Sequence, residues 1–131
     1  MDLCFQNIEH ELSHLPQEYG PPGGAFFLGM EQDVSVGCVG LRRFADQVGE
    51  MKRLYIAPAA RGKGAGRRLA RAAIGEAASL GYRKLVLDTL PSMKEAQALY
   101  ASLGFVSTAA YRFNPVPGTA YLELALMSRS A

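Results

Sequence analysis

Residues 61–68 read RGKGAGRR, three glycines and four basic residues in eight positions. Glycine suits neither helix nor strand, and neighbouring cations repel, so the combination needs a reason. The apolar run Leu54-Tyr55-Ile56 precedes it and an alanine-rich segment follows. A strand that turns through glycines into a helix leaves the first helical N–H groups without internal partners, at the positive end of the helix dipole. Glycines let a phosphate come close to that backbone, which suits a pyrophosphate. A glycine cluster alone is weak evidence, since many such turns need glycine only for shape. The P-loop pattern GxxxxGK[ST] fails because the single Gly-Lys pair, Gly62-Lys63, is followed by Gly64. The Rossmann pattern GxGxxG fits badly, because Gly62, Gly64 and Gly66 are spaced differently and follow a third strand rather than a first.

A second cluster, His10-Glu11-Leu12-Ser13-His14, spells HExxH, and its two histidines share a helix face. A catalytic zinc also needs a third protein ligand, and these are the only two histidines in the chain. Two surface histidines are the simpler reading, and no metal site is assigned.

Elements must hold the glycine loop in place. Residues 7–15 put Ile8, Leu12 and Leu15 on one helical face, and Pro16 ends that helix. Residues 19–24, YGPPGG, form a loop. Ala25–Met30 and Val34–Phe44 read as an antiparallel hairpin around the polar turn Glu31-Gln32-Asp33, with a second turn at 46–49. Glu50–Ile56 is a third strand, with Met51, Arg53 and Tyr55 on one face and Lys52, Leu54 and Ile56 on the other. A helix runs from about Gly64 to Leu80, with Leu69, Ala73, Ala77 and Leu80 at helical spacing and Gly81 as its stop. Lys84–Thr89 is an apolar strand of the kind found near a sheet centre. Ser92 and Glu95 form a capping box for a helix that carries Ala96, Leu99, Tyr100 and Leu103 on one face and closes at Gly104. Phe105–Thr108 and Ala120–Leu126 are two last strands, joined by a loop. This order predicts one α/β (α+β) domain over residues 1–131, a mixed and mostly antiparallel sheet flanked by helices with one βαβ crossover.

The totals agree with that class. The chain has 131 residues, 49% hydrophobic and 20% charged, and a net charge of +2, so no overall field points to nucleic acid. The positive charge is local, with Arg61, Lys63, Arg67, Arg68 and Arg71 close together. Some of these are expected on a solvated helix face. Cys4 and Cys38 form no CxxC pair, which favours a reduced, cytoplasmic setting. No stretch reaches the roughly 18 apolar residues of a membrane span, and no signal peptide is evident.

One further pattern fits the loop. Arg61-Gly62-Lys63-Gly64-Ala65-Gly66 matches R/Q-x-x-G-x-G/A. Downstream, Ala96-Gln97-Ala98-Leu99-Tyr100 and Leu103-Gly104-Phe105 match A-x-x-LY-x-x-x-GF. Together these resemble the GNAT superfamily of N-acetyltransferases over about residues 25–126. The resemblance implies acetyl-CoA as co-substrate, with its pyrophosphate on Arg61, Gly62, Lys63, Gly64, Ala65, Gly66 and Arg67. It implies that the strands at 50–56 and 84–89 splay apart and that the pantetheine arm pairs with the backbone of Leu54, Tyr55 and Ile56, where one N–H near Tyr55 polarises the thioester. Glu50 takes the place of a general base, often acting through water, and the alternative is an exposed glutamate paired with Lys52. Tyr100 takes the place of the general acid, and the alternative is a core tyrosine. Met93 stands where the family often has a CoA-binding asparagine. Only 24 residues precede the first strand, so the family's usual first strand is expected to be missing, leaving a sheet edge that a second subunit could cover. The implied acceptor is an amine on a small molecule or a protein, and an acetyl-CoA-binding module without turnover is the rival reading.

Overall fold

The computed structural model describes residues 19–20, 22–112 and 115–126, apart from the side chain of Arg53. The expected helix over residues 7–15, with His10, His14 and the expected sheet edge before Ala25, lies outside the described residues.

Six strands form one sheet: β1 (Ala25–Glu31), β2 (Val34–Ala45), β3 (Val48–Ile56), β4 (Lys84–Thr89), β5 (Val106–Ser107) and β6 (Ala120–Ala125), in the spatial order β1-β2-β3-β4-β6-β5. All neighbouring pairs are antiparallel except β3 and β4, which are joined by the crossover helix α1 (Ala65–Ser79). A shorter helix, α2 (Lys94–Ser102), follows β4. The architecture is the mixed, mostly antiparallel α/β sheet expected from the order of elements. Among the described residues no helix is long and apolar enough to cross a membrane.

Both hairpin turns are built from residues that tolerate left-handed backbone, with φ of 50° at Gln32, 67° at Asp33 and 61° at Gln47. The second turn is tighter than residues 46–49 imply, so β3 starts at Val48 rather than Glu50. This moves Glu50 from the start of the strand to its third residue. β5 is shorter than the expected 105–108, since Phe105 is buried in the core instead of extending the strand.

One face of the sheet carries Val39, Leu41, Met51, Leu85 and Leu87, packed with Leu69, Ala70, Ala73 and Ala77 of α1 and with Tyr100 and Phe105. Ala70, Ala73 and Ala77 of α1 are fully buried and small, so the helix lies close to the strands. Gly37 on β2 is also needed for that approach: a Cβ there would stand 2.8 Å from the Tyr55 carbonyl oxygen and 2.9 Å from Leu69 Cδ1. α1 packs against β1, β2 and β3.

The expected capping box is not formed. Helix α2 begins at Lys94 with Met93 in the cap position and no side-chain cap hydrogen bond. Ser92 sits in a turn closed by the Met93 N–H donating to the Leu90 carbonyl (3.0 Å), and Gln97 Nε2 donates to the same carbonyl (2.8 Å). Pro91 favours such a turn, and the turn places Ser92 one residue too early to cap.

Candidate active site

Strands β3 and β4 run side by side for only three residue pairs: Val48 with Lys84, Gly49 with Leu85, and Glu50 with Val86. Beyond that point they part. β3 stays paired with β2 out to Ile56, and β4 stays paired with β6 out to Thr89, so a fork opens within the sheet. Residues Leu54, Tyr55 and Ile56 therefore present a backbone edge that β4 does not cover. On the other arm, the Thr89 hydroxyl is buried with no hydrogen-bond partner.

Beyond β3 a 3-10 turn, Pro58–Ala60, leads into the glycine loop. Gly62 and Gly64 both have φ of 82°, backbone that other residues adopt only with strain. Nothing lies within 4 Å of where a Cβ on Gly62 would be, so that side of the loop is open. Gly64 occupies the cap position of α1 with no side-chain cap, and the first helical hydrogen bond is Arg68 N–H to Gly64 O at 3.1 Å. The N–H groups of Ala65, Gly66 and Arg67 thus have no carbonyl partner among the described residues. The first turn of α1 holds no acidic residue, while Arg67 and Arg68 stand in it. Cations there oppose the helix dipole, and an anion in front of the helix would offset them. Arg61 folds back so that its Nε donates to the Ile56 carbonyl (3.0 Å), with its guanidinium 5.9 Å from the Tyr55 ring centroid. Arg67 Nη2 donates to Ser102 Oγ (2.8 Å), which ties α1 to α2.

These pieces line one groove of about 730 Å³. Its walls are Leu54, Tyr55 and Ile56, the loop residues Arg61, Gly62, Gly64, Ala65, Gly66 and Arg67, and Ser92 to Ala96 with Leu99. The structure so brings together nine of the ten residues expected to bind the co-substrate. Lys63 points elsewhere, lining a smaller hollow with Arg68 and β1. Ser92, expected as a cap, and Met93, which stands where the resemblance implies a CoA-binding asparagine, both line the groove.

Glu50 and Tyr100 stand outside the groove walls. Tyr100 is buried on α2, its ring 5.6 Å from that of Phe105. Burial first, and the Asp88 carboxylate second, push its hydroxyl up to about 12. The second influence places that hydroxyl in the field of β4 beyond the fork. The apolar-face reading of Tyr100 is thus met by its packing, while its hydroxyl has no hydrogen bond among the described residues.

Glu50 sits at the vertex of the fork on the face away from α1, and it is 0% exposed. The alternative of an exposed glutamate paired with Lys52 does not hold, since Lys52 Nζ lies 3.8 Å from Asp88 Oδ1 instead. Starting β3 two residues earlier is what draws Glu50 inside. Its Oε1 accepts from Arg42 Nε (2.9 Å) and Arg112 Nη2 (2.6 Å), and its Oε2 accepts from the Tyr111 hydroxyl (2.8 Å). Burial and the hydrogen bond to Glu50 raise the Tyr111 hydroxyl far above the usual tyrosine range. Tyr111 and Arg112 were missed as partners of Glu50 from sequence, because 61 and 62 residues separate them from it and no local pattern marks them.

The arrangement can hold an elongated molecule with an anionic head on the loop amides and an extended arm along the edge of β3 that β4 leaves uncovered. Comparison with known proteins gives the family. Residues 2–105 match the model of the Acetyltransferase (GNAT) family. The chain is similar to an uncharacterized N-acetyltransferase of Schizosaccharomyces pombe, 40% identical over 126 residues that cover 95% of this chain and 77% of the relative. Its fold is similar to that of a Klebsiella pneumoniae structure of the acyl-CoA N-acyltransferase type, with a TM-score of 0.78 and 26% identity over 95% of this chain and 88% of the other. It is also similar to a GNAT family acetyltransferase from Elizabethkingia anophelis with acetyl-CoA bound, with a TM-score of 0.69 and 21% identity, covering 92% and 82% of the two chains.

Proposed function

The chain belongs to the GNAT acetyltransferase family, which uses acetyl-CoA as co-substrate, and from that premise we propose how its own residues carry the transfer. The observation that carries the reading is the fork: β3 and β4 separate after Glu50 and Val86, directly beside a groove that ends on the amides of the glycine loop. The N–H groups of Ala65, Gly66 and Arg67 take the pyrophosphate, with Arg61 and Arg67 supplying charge. Gly62 and Gly64 keep the loop low enough for the phosphates to reach it. The edge of Leu54 to Ile56 that β4 leaves uncovered pairs with the pantetheine arm as a peptide would pair with a sheet edge. An N–H near Tyr55 polarises the carbonyl. When bound, the thioester supplies the acetyl group, and an acceptor amine attacks it directly.

In this reading Tyr100 donates a hydrogen bond to the departing sulfur. Its raised value of about 12 makes complete proton transfer to a thiolate of ordinary pKa near 8.5 uphill, so its contribution is mainly electrostatic. Glu50 is the base, reached through Tyr111. No solvent touches the carboxylate and three of its four lone-pair sites are taken, so a proton arrives by way of the Tyr111 hydroxyl, which already donates to Oε2. A second reading is favoured by the same saturation: Glu50 is a fixed anion that aligns Arg42, Arg112 and Tyr111.

Two measurements test this. Acetyl-CoA is expected to raise the Tm, and an amine panel is expected to contain at least one acceptor that releases free CoA. With that acceptor, Tyr111→Phe is expected to lower kcat about 10²–10⁴-fold with little change in KM, the ordinary scale of acid–base assistance. A rise in KM at constant kcat would instead favour the aligning role. Binding without amine-dependent thiol release would favour a non-catalytic module.

A further inference from the structure

Arg112 carries an unfilled demand. The face of the sheet turned away from α1 holds Arg42, Glu50, Lys52 and Asp88 around the fork, and the segment after β5 brings Tyr111 and Arg112 onto it. Among the described residues this face sets four cations, Arg42, Lys52, Lys84 and Arg112, against three carboxylates, Glu50, Asp88 and Glu123, and Lys84 and Glu123 pair with each other. Lys52 and Asp88 answer each other across the gap. Glu50 is then shared, with Arg42 and Arg112 both donating to the single oxygen Oε1. Arg42 has other interactions as well. Arg112 lies over two aromatic rings, but of its nitrogens Nη2 meets Glu50 and Nε is buried with no hydrogen-bond partner.

The Nε N–H is closed to the outside, so a planar oxyanion would meet the part of the guanidinium that stays exposed. The site is also prepared for one. The Arg112 guanidinium lies 5.6 Å from the Phe44 ring centroid and 5.4 Å from that of Tyr111, and its side chain stays 29% exposed. The Tyr121 hydroxyl donates to the Arg112 carbonyl (2.9 Å), which fixes the backbone beneath it. The head is therefore held in place yet accessible from outside.

The sign of the charge narrows the acceptor. A free amine reaches the enzyme mostly as a cation, and a patch with excess positive charge repels it. An amine that also bears a carboxylate is attracted instead. Resting on the reading that transfer occurs at the fork, we propose that the acceptor is a small amino acid whose carboxylate is taken by Arg112, bringing its amine beside Tyr111. Polyamines lack the anion and a protein N-terminus lacks an α-carboxylate, so both are poor acceptors.

The test uses the whole chain and matched probes. Alanine, methionine, phenylalanine and aspartate are each compared with their α-carboxamide, with spermidine and a tripeptide amide alongside. Thiol release from acetyl-CoA and calorimetric binding to the CoA-loaded protein are both read. At least one acid is expected to exceed its amide about 10–100-fold in kcat/KM or in affinity, the scale of one charge-assisted contact. Arg112→Gln is expected to narrow that gap, with KM rising more for the acid than for the amide. The acid-versus-amide comparison needs no variant, so it stands if Arg112→Gln fails to fold. Acid and amide behaving alike, or spermidine preferred, overturns the proposal while acetyl transfer stands. If acetyl-CoA itself does not bind, both fall.

Discussion

Tyr100 and Glu50 show how one residue's role depends on its surroundings. An unperturbed tyrosine near 10 and a thiol near 8.5 are not a poor pairing for proton transfer. The buried position of Tyr100 widens that gap, because a phenolate there would lose its water and face Asp88. The same shift has a consequence for stability. A hydroxyl at about 12 in the folded chain and near 10 in the unfolded one favours the folded state while it keeps its proton. That contribution is whole below about pH 10 and is lost as pH rises toward about 12. Tyr111, shifted in the same direction, adds to it. Tyr100→Phe is expected to flatten the fall in urea midpoint between pH 9 and pH 11. An unchanged pH slope would mean that the tyrosine is better solvated than its packing implies.

At the scale of elements, local signals proved readable and long-range ones did not. The strand–loop–helix unit from β3 to α1 was legible because glycine placement, alanine spacing and apolar alternation are all local. The start of β3 was not, because it depends on how tightly Gln47 turns, and only its left-handed φ decides that. The expected cap on α2 failed for a similar reason: Pro91 draws Ser92 into a turn that ends one residue too soon. Gly37 drew no attention in the sequence, yet it is where α1 presses closest. Gly37→Ala is expected to destabilise the chain by about 1–3 kcal/mol, the usual cost of overpacking, with the m-value unchanged in urea unfolding. A loss well under about 0.5 kcal/mol, as at an ordinary surface site, would show that β3 and Leu69 yield easily.

For the whole molecule, the sheet consists of two halves. β1, β2 and β3 form one with α1 against them, and β4, β6 and β5 form the other. The class of fold was legible in the sequence because it rests on the order of elements, and the family because two local motifs, at 61–66 and 96–105, mark it. The polar cluster on the far face was not, since it joins β2, β3 and the segment after β5. In hydrogen exchange, amides of residues 54–56 and 65–67 are expected to gain protection when acetyl-CoA binds, while those of β1 remain as they were. Equal protection with and without the molecule would place it elsewhere. Three rungs are a short zip between two halves of a protein. Pulled apart across that line, an empty chain would tear there first. If the co-substrate's arm fills the gap as proposed, the weakest point of a laden chain would move to another part of the molecule.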